Sequence, residues 1–172
     1  MFKLYEIDDN YVTYMHSIDD KVMLPLGPNY THSRKYIGIV LQINGVKYFA
    51  PLSSPKNNDY VFVNGNRVPR KSAFTIFRLT DKTDVLGKIL LNSMIPVPDC
   101  YIAEYDVNNE PDLQYQSLVQ KEINLIKPLK KDILKNAKIL YTKKGKGETG
   151  GYLDATVDFK KLENAMLNYK KP

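Results

Sequence analysis

The stretch from Tyr36 to Leu52 limits the fold more than any other part of the chain. Tyr36 to Ile43 and Val46 to Leu52 are runs rich in β-branched and aromatic residues, and Asn44-Gly45 alone joins them. Both central positions of a type I′ turn need positive φ, which asparagine and glycine accept, so the segment predicts a tight antiparallel hairpin. Phe2 to Ile7 alternates and reads as a short opening strand. Asp8 and Asp9 then supply N-cap oxygens to a helix with Tyr11, Val12, Tyr14, Met15 and Ile18 on one face. A second Asn-Gly, at Asn64-Gly65, predicts a smaller hairpin or an excursion from the main sheet. Phe74 to Leu79 and Leu86 to Ser93 read as further strands, and prolines confine Met94 to Pro98 to an edge. Tyr101 to Tyr105 closes the sheet.

After Asn109 the hydrophobic period changes. Leu113, Leu118, Val119, Ile123 and Ile126 are spaced for a helix starting near Pro111-Asp112. Pro128 interrupts it, and Leu129, Ile133, Ala137 and Leu140 carry a second helix whose other faces are almost all lysine. Gly145 to Gly151 reads as a loop, and a last helix from Asp158 turns Phe159, Leu162, Met166 and Leu167 inward. Strands followed by helices predict an α+β chain: one domain over residues 1–172, with a lysine-rich helical region at about 111–146.

Several chemistries lack their residues. Cys100 is the single cysteine, expected to be a small buried group, and His16 and His32 are the only histidines, so neither a disulfide framework nor a zinc cluster is available. There is no Gly-rich phosphate loop and no nucleophile elbow, so no metal or other cofactor is expected. No apolar run approaches the roughly 18 residues of a membrane span, and the N-terminal residues lack a signal-peptide core, which predicts a cytoplasmic protein. Charge is unevenly spread: residues 1–112 hold 12 Lys+Arg and 13 Asp+Glu, residues 113–172 hold 13 lysines and 6 acids. Lys130, Lys131, Lys135, Lys138, Lys143 and Lys144 crowd the helical region, as they would on a face that grips phosphates, although charge runs are more often plain solvated surface.

Chemistry gathers at the ends of the hairpin. Ser53-Ser54-Pro55-Lys56 places two hydroxyls and an ammonium within four residues, in a pattern that also occurs as an ordinary turn. The segment with Tyr30, His32, Arg34 and Lys35 leads into the first hairpin strand. If residue i faces residue 89 − i about Asn44-Gly45, Lys35 lies opposite Ser54 and the two patches form one polar site of Lys35, Ser53, Ser54 and Lys56, with Tyr30 nearby. Lysines and hydroxyls without a carboxylate cluster suit phosphodiester cleavage without metal, because positive groups stabilise charge developing on phosphorus. RNA brings its own nucleophile, the 2′-hydroxyl. His32 has the intrinsic pKa for proton transfer, yet a histidine in a surface loop is the commoner case.

Three runs, Lys35-Tyr36-Ile37-Gly38-Ile39-Val40-Leu41, Lys47-Tyr48-Phe49-Ala50-Pro51-Leu52-Ser53-Ser54-Pro55-Lys56 and Leu91-Asn92-Ser93-Met94-Ile95-Pro96-Val97-Pro98, resemble the ToxN/AbiQ family of type III toxin–antitoxin endoribonucleases. The resemblance covers most of the chain and is weak over Tyr60 to Lys71 and Thr142 to Thr156. It implies a metal-independent, sequence-selective endoribonuclease on a twisted antiparallel sheet flanked by helices, a build related to the MazF/Kid toxins. It also implies cleavage by 2′-hydroxyl attack and a role in abortive infection against phage. The implied partners are a small structured RNA antitoxin, cut from a repeat precursor and held in a closed protein–RNA assembly, and cellular or phage mRNA as substrate. The family's active-site groups fall on Tyr30, Lys35, Ser53, Ser54 and Lys56, with Lys35 and Lys56 stabilising the phosphate, the serines orienting it and Tyr30 positioning the substrate. Arg34 and the basic helical face would hold RNA. A non-catalytic RNA-binding protein using the same basic face is the competing reading.

Overall fold

The computed structural model describes residues 2–26 and 31–171. Its frame is a seven-stranded antiparallel sheet. The strands are β1 (Lys3–Ile7), β2 (Tyr36–Ile43), β3 (Val46–Ser53), β6 (Ile76–Asp81), β7 (Asp84–Leu90), β8 (Ile95–Pro96) and β9 (Ile102–Tyr105), in the order β6-β7-β3-β2-β1-β9 with β8 branching from β3. β4 (Tyr60–Val63) and β5 (Asn66–Pro69) form a separate two-stranded ribbon. Among the described residues there are four α-helices: α1 (Asp9–Ile18), α2 (Leu113–Ile126), α3 (Lys130–Gly145) and α4 (Phe159–Asn168). Among the described residues no helix is long and apolar enough to cross a membrane.

Local chemistry sets these elements. Asn44 and Gly45 take φ of 50° and 80°, the left-handed values that the β2–β3 turn requires. The side chains of Asp8, Asp112 and Asp158 accept backbone N–H bonds at the starts of α1, α2 and α4, satisfying donors that a helix end leaves open. Pro128 lies in a short 3-10 turn between α2 and α3, so the two helices run almost end to end. Tyr11, Tyr36, Tyr48, Phe49, Met94, Ile95 and Phe159 are among the fully buried side chains of one core cluster. α3 packs on β2, α4 on α1 and β8, and α2 lies across β6 and β7.

The structure departs from the sequence expectations in several places. The hairpin register follows 89 − i only near its turn, from Ile43↔Val46 to Leu41↔Tyr48. A bulge between Gly38 and Leu41 shifts it by two residues, giving Gly38↔Phe49 and Tyr36↔Pro51. Lys35 therefore lies opposite Leu52 rather than Ser54, and its carbonyl accepts the Leu52 N–H at 2.8 Å. Cys100 is exposed, because Asp99–Tyr101 form a single surface turn. Leu167 and Leu113 also point outward, and Ala165 joins Phe159 and Leu162 on the buried stripe of α4. On the β4–β5 ribbon Phe62 is 77% exposed and Val63 and Val68 are exposed beside it. The ribbon is tied down at its base, where Tyr60 accepts the Val85 N–H on its hydroxyl and carries the Arg67 guanidinium over its ring.

Candidate active site

Where β3 runs out and the segment before β2 passes beside it, α2 closes a cleft of about 260 Å³. His32, Ser33, Arg34 and Lys35 line it from that segment, Leu52, Ser53 and Ser54 from β3 and its end, Leu86 from β7, and Tyr115, Leu118 and Glu122 from α2. The predicted Lys35, Ser53 and Ser54 thus meet in one place even though the register differs from the simple hairpin. Lys56 is exposed and lies outside the lining; its backbone N–H donates to Asp59 Oδ2 at 2.8 Å. Tyr30 lies outside the described residues.

Lys35 is held more tightly than an unpaired phosphate-binding cation would be. Its side chain is 4% exposed, and its ammonium donates to Glu6 Oε1 and to the Ser33 carbonyl. Because β1 pairs with β2 through Tyr5↔Tyr36, Glu6 falls directly across from Lys35. The ammonium also sits 4.5 Å from the centre of the Tyr105 ring, and Ser33 Oγ donates to the same Glu6 oxygen at 3.0 Å. Glu6 is half exposed, so any anion entering the cleft would have to compete with it for Lys35. Arg34 donates to the Leu24 and Leu52 carbonyls, which ties the segment to the end of β3.

His32 has a defined place in this cleft. Its ring stacks on Tyr115 at 3.9 Å and 4°, and Nε2 lies 3.2 Å from Asp112 Oδ2. Asp112 also accepts the Tyr115 and Gln114 N–H groups as the cap of α2, and those backbone bonds, Tyr115 first, hold its carboxyl below the ordinary range. Opposite, Glu122 is buried, and burial pushes its carboxyl up to about 7. The sequence reading missed Glu122. A signal was present, since Glu122 sits three residues after Val119 and four before Ile126, on the stripe of α2 that is buried.

The basic helical face is split. Lys131, Lys135 and Lys138 are exposed on α3. Lys130 lies half-buried with its ammonium near the Phe2 ring, Lys143 pairs with Glu148, and Lys144 donates to the Leu153 carbonyl.

An antiparallel sheet with this cleft at its strand ends and a lysine-rich helix on its flank belongs to a known class. The chain is a member of the ToxN family, toxins of type III toxin–antitoxin systems, and the match runs over residues 3–167. It is 30% identical to the endoribonuclease ToxN of Pectobacterium atrosepticum over 98% of this chain and 94% of that one. It is 26% identical to the endoribonuclease AbiQ of Lactococcus lactis subsp. lactis over 98% and 90%. A solved protein from a bacterial antiviral system regulated by a processed non-coding RNA superposes with a TM-score of 0.80 at 30% identity, covering 98% of this chain and 99% of that one.

Proposed function

We propose that this chain is a single-domain, metal-independent, sequence-selective endoribonuclease toxin, active in the cytoplasm in abortive infection. It cleaves cellular or phage mRNA by 2′-hydroxyl attack, leaving 2′,3′-cyclic phosphate and 5′-hydroxyl ends. The observation that carries the reading is the convergence of Lys35, Ser53 and Ser54 in one cleft, in a chain whose relatives are named endoribonucleases. Ser53 and Ser54 donate hydroxyl hydrogens to the non-bridging phosphate oxygens, while Lys35 and Lys56 offset the charge that builds on phosphorus. Tyr30 positions the substrate. We infer kinship with the MazF/Kid toxins, a reading that an antiparallel sheet with helices packed against it supports only at the level of architecture.

The same protein is held inactive by, and processes, a small repeat-derived RNA antitoxin in a closed protein–RNA assembly. The regulating non-coding RNA of the related antiviral system supports that partner class. Arg34, Lys130, Lys131, Lys135, Lys138, Lys143 and Lys144 are the proposed RNA contacts, led by the three exposed lysines of α3.

Purified protein incubated with RNA in EDTA should release fragments with 2′,3′-cyclic phosphate ends. An RNA that shifts on a native gel and stays whole identifies a binding protein instead. Lys56→Ala should abolish cleavage and leave folding and antitoxin binding largely intact, since among the described residues no ion pair holds this exposed side chain. Unchanged fragments on a denaturing gel would remove Lys56 from the mechanism.

A further inference from the structure

Tyr115, Leu118 and Glu122 follow one another at helical spacing and form the side of α2 that faces the cleft. Two are apolar or aromatic, and the third is an acid. Glu122 is 8% exposed, and among the described residues none donates a hydrogen bond to its carboxyl or pairs with it. A buried ionisable group without a partner costs the fold stability, and buried structural acids are almost always paired.

The opposing strand makes room for this acid. Gly87 of β7 lies beneath the carboxyl, and a Cβ placed there would overlap Glu122 Oε1. The Ser53 carbonyl is 3.6 Å from the same point, because β3 and β7 pair through Ser53↔Lys88. A missing side chain on β7 thus gives the carboxyl a seat beside the serines. We propose that Glu122 is the proton acceptor for RNA cleavage in this cleft, an inference that rests on the ribonuclease reading above.

In the step it would serve, the 2′-O–H bond breaks and its proton passes to a Glu122 oxygen as the O2′–P bond forms. The P–O5′ bond breaks, and the departing 5′-oxygen takes a proton from water. Glu122 afterwards returns its proton to solvent. Burial supports the assignment, since a carboxyl raised to about 7 is ionised in a large share of molecules at neutral pH and still basic enough to take a proton. Among the described residues the charged or titratable groups facing it are few. Arg34, Lys35 and His32 come from the segment before β2, with Glu6 behind Lys35, and Tyr115 lies on its own helix. β3 presents hydroxyls, and the Lys88 ammonium of β7 and the Arg78 guanidinium of β6 are turned to Asp59.

The test is single-turnover cleavage of one RNA by wild type, Glu122→Gln, Gly87→Ala, the double variant and Ser54→Ala between about pH 5 and 9, with RNA affinity and melting measured alongside. Wild type should gain rate about tenfold per pH unit below about pH 7 and then level off. Glu122→Gln should be slower by about a hundredfold or more, lose that acid limb, and bind RNA unchanged. Gly87→Ala displaces only the end of a flexible side chain, so it should fold, slow cleavage, and have no further effect in the Glu122→Gln background. A Glu122→Gln protein within about threefold of wild type, or a slow one that keeps the acid limb, overturns the proposal. If Ser54→Ala is inactive in that case, the cleft remains the active site and only Glu122 falls. Full activity in both variants removes the reading of the cleft itself.

Discussion

Strand β7 carries Gly87 and Lys88 side by side, and each meets a buried carboxyl from a different part of the chain. Asp59 accepts the Lys88 ammonium at 2.6 Å, Arg78 Nε at 2.9 Å and the Lys56 N–H at 2.8 Å. Burial would raise its pKa, but those donors, Lys88 foremost, hold it below the ordinary value. Glu122 sits over Gly87 with no donor among the described residues, and burial pushes it up to about 7. Two acids of the same kind, both shielded from water, are thus shifted in opposite directions. Depth alone does not settle ionisation; the supply of donors does. The paired acid anchors the loop that carries Lys56, while the unpaired one stays free to exchange its proton.

Removing the paired acid should have the largest effect on the fold. Asp59→Ala leaves Lys88 and Arg78 buried without their counterion and should cost about 3–5 kcal/mol, or roughly 10 °C in melting temperature. A melt shifted by less than a third of that would put Asp59 on a par with a surface acid. The pH dependence separates the two acids by sign. Asp59 has a depressed folded pKa, so its contribution is present above about pH 3.8 and is lost as pH falls through the lower folded value. Glu122 has a raised one, so the native state keeps a proton that the unfolded chain releases between about pH 4.5 and 7. Stability should fall across that window by about 3 kcal/mol. Glu122→Gln should flatten the slope and, above pH 7, melt higher than wild type; a parallel pH profile of melting temperature would show the acid to be solvated. The smallest effect belongs to α3. Each of Lys131, Lys135 and Lys138 replaced by Gln should lower the slope of log affinity for single-stranded RNA against log salt by about 0.7, and an unchanged slope would take that lysine off the interface.

Much of the frame was legible in the sequence because local signals decide it. Asn44-Gly45, the Asp8, Asp112 and Asp158 caps and the change of period after Asn109 each act within a few residues, and the elements stand where they point. The bulge was not legible. Ile37, Ile39, Val40 and Leu41 form a nearly continuous apolar run, so the sequence holds no alternation from which a shift of register could be read. For the candidate site, the gathering of Lys35 with Ser53 and Ser54 was legible, but for a geometric reason that the bulge corrects. The pairing of Lys35 with Glu6 depends on β1 lying beside β2, a contact 29 residues apart that hairpin arithmetic does not reach. His32 looked like a loop residue because its partners, Asp112 and Tyr115, arrive from a helix some 80 residues further on.

The β4–β5 ribbon closes its backbone pairing on itself, and only its base is fastened to the main body. Lengthening its tip around Asn64-Gly65 would disturb no interior packing, and loop closure would cost only about 0.6 kcal/mol for each doubling in length. This arm can therefore change in length while the main sheet and the cleft stay as they are.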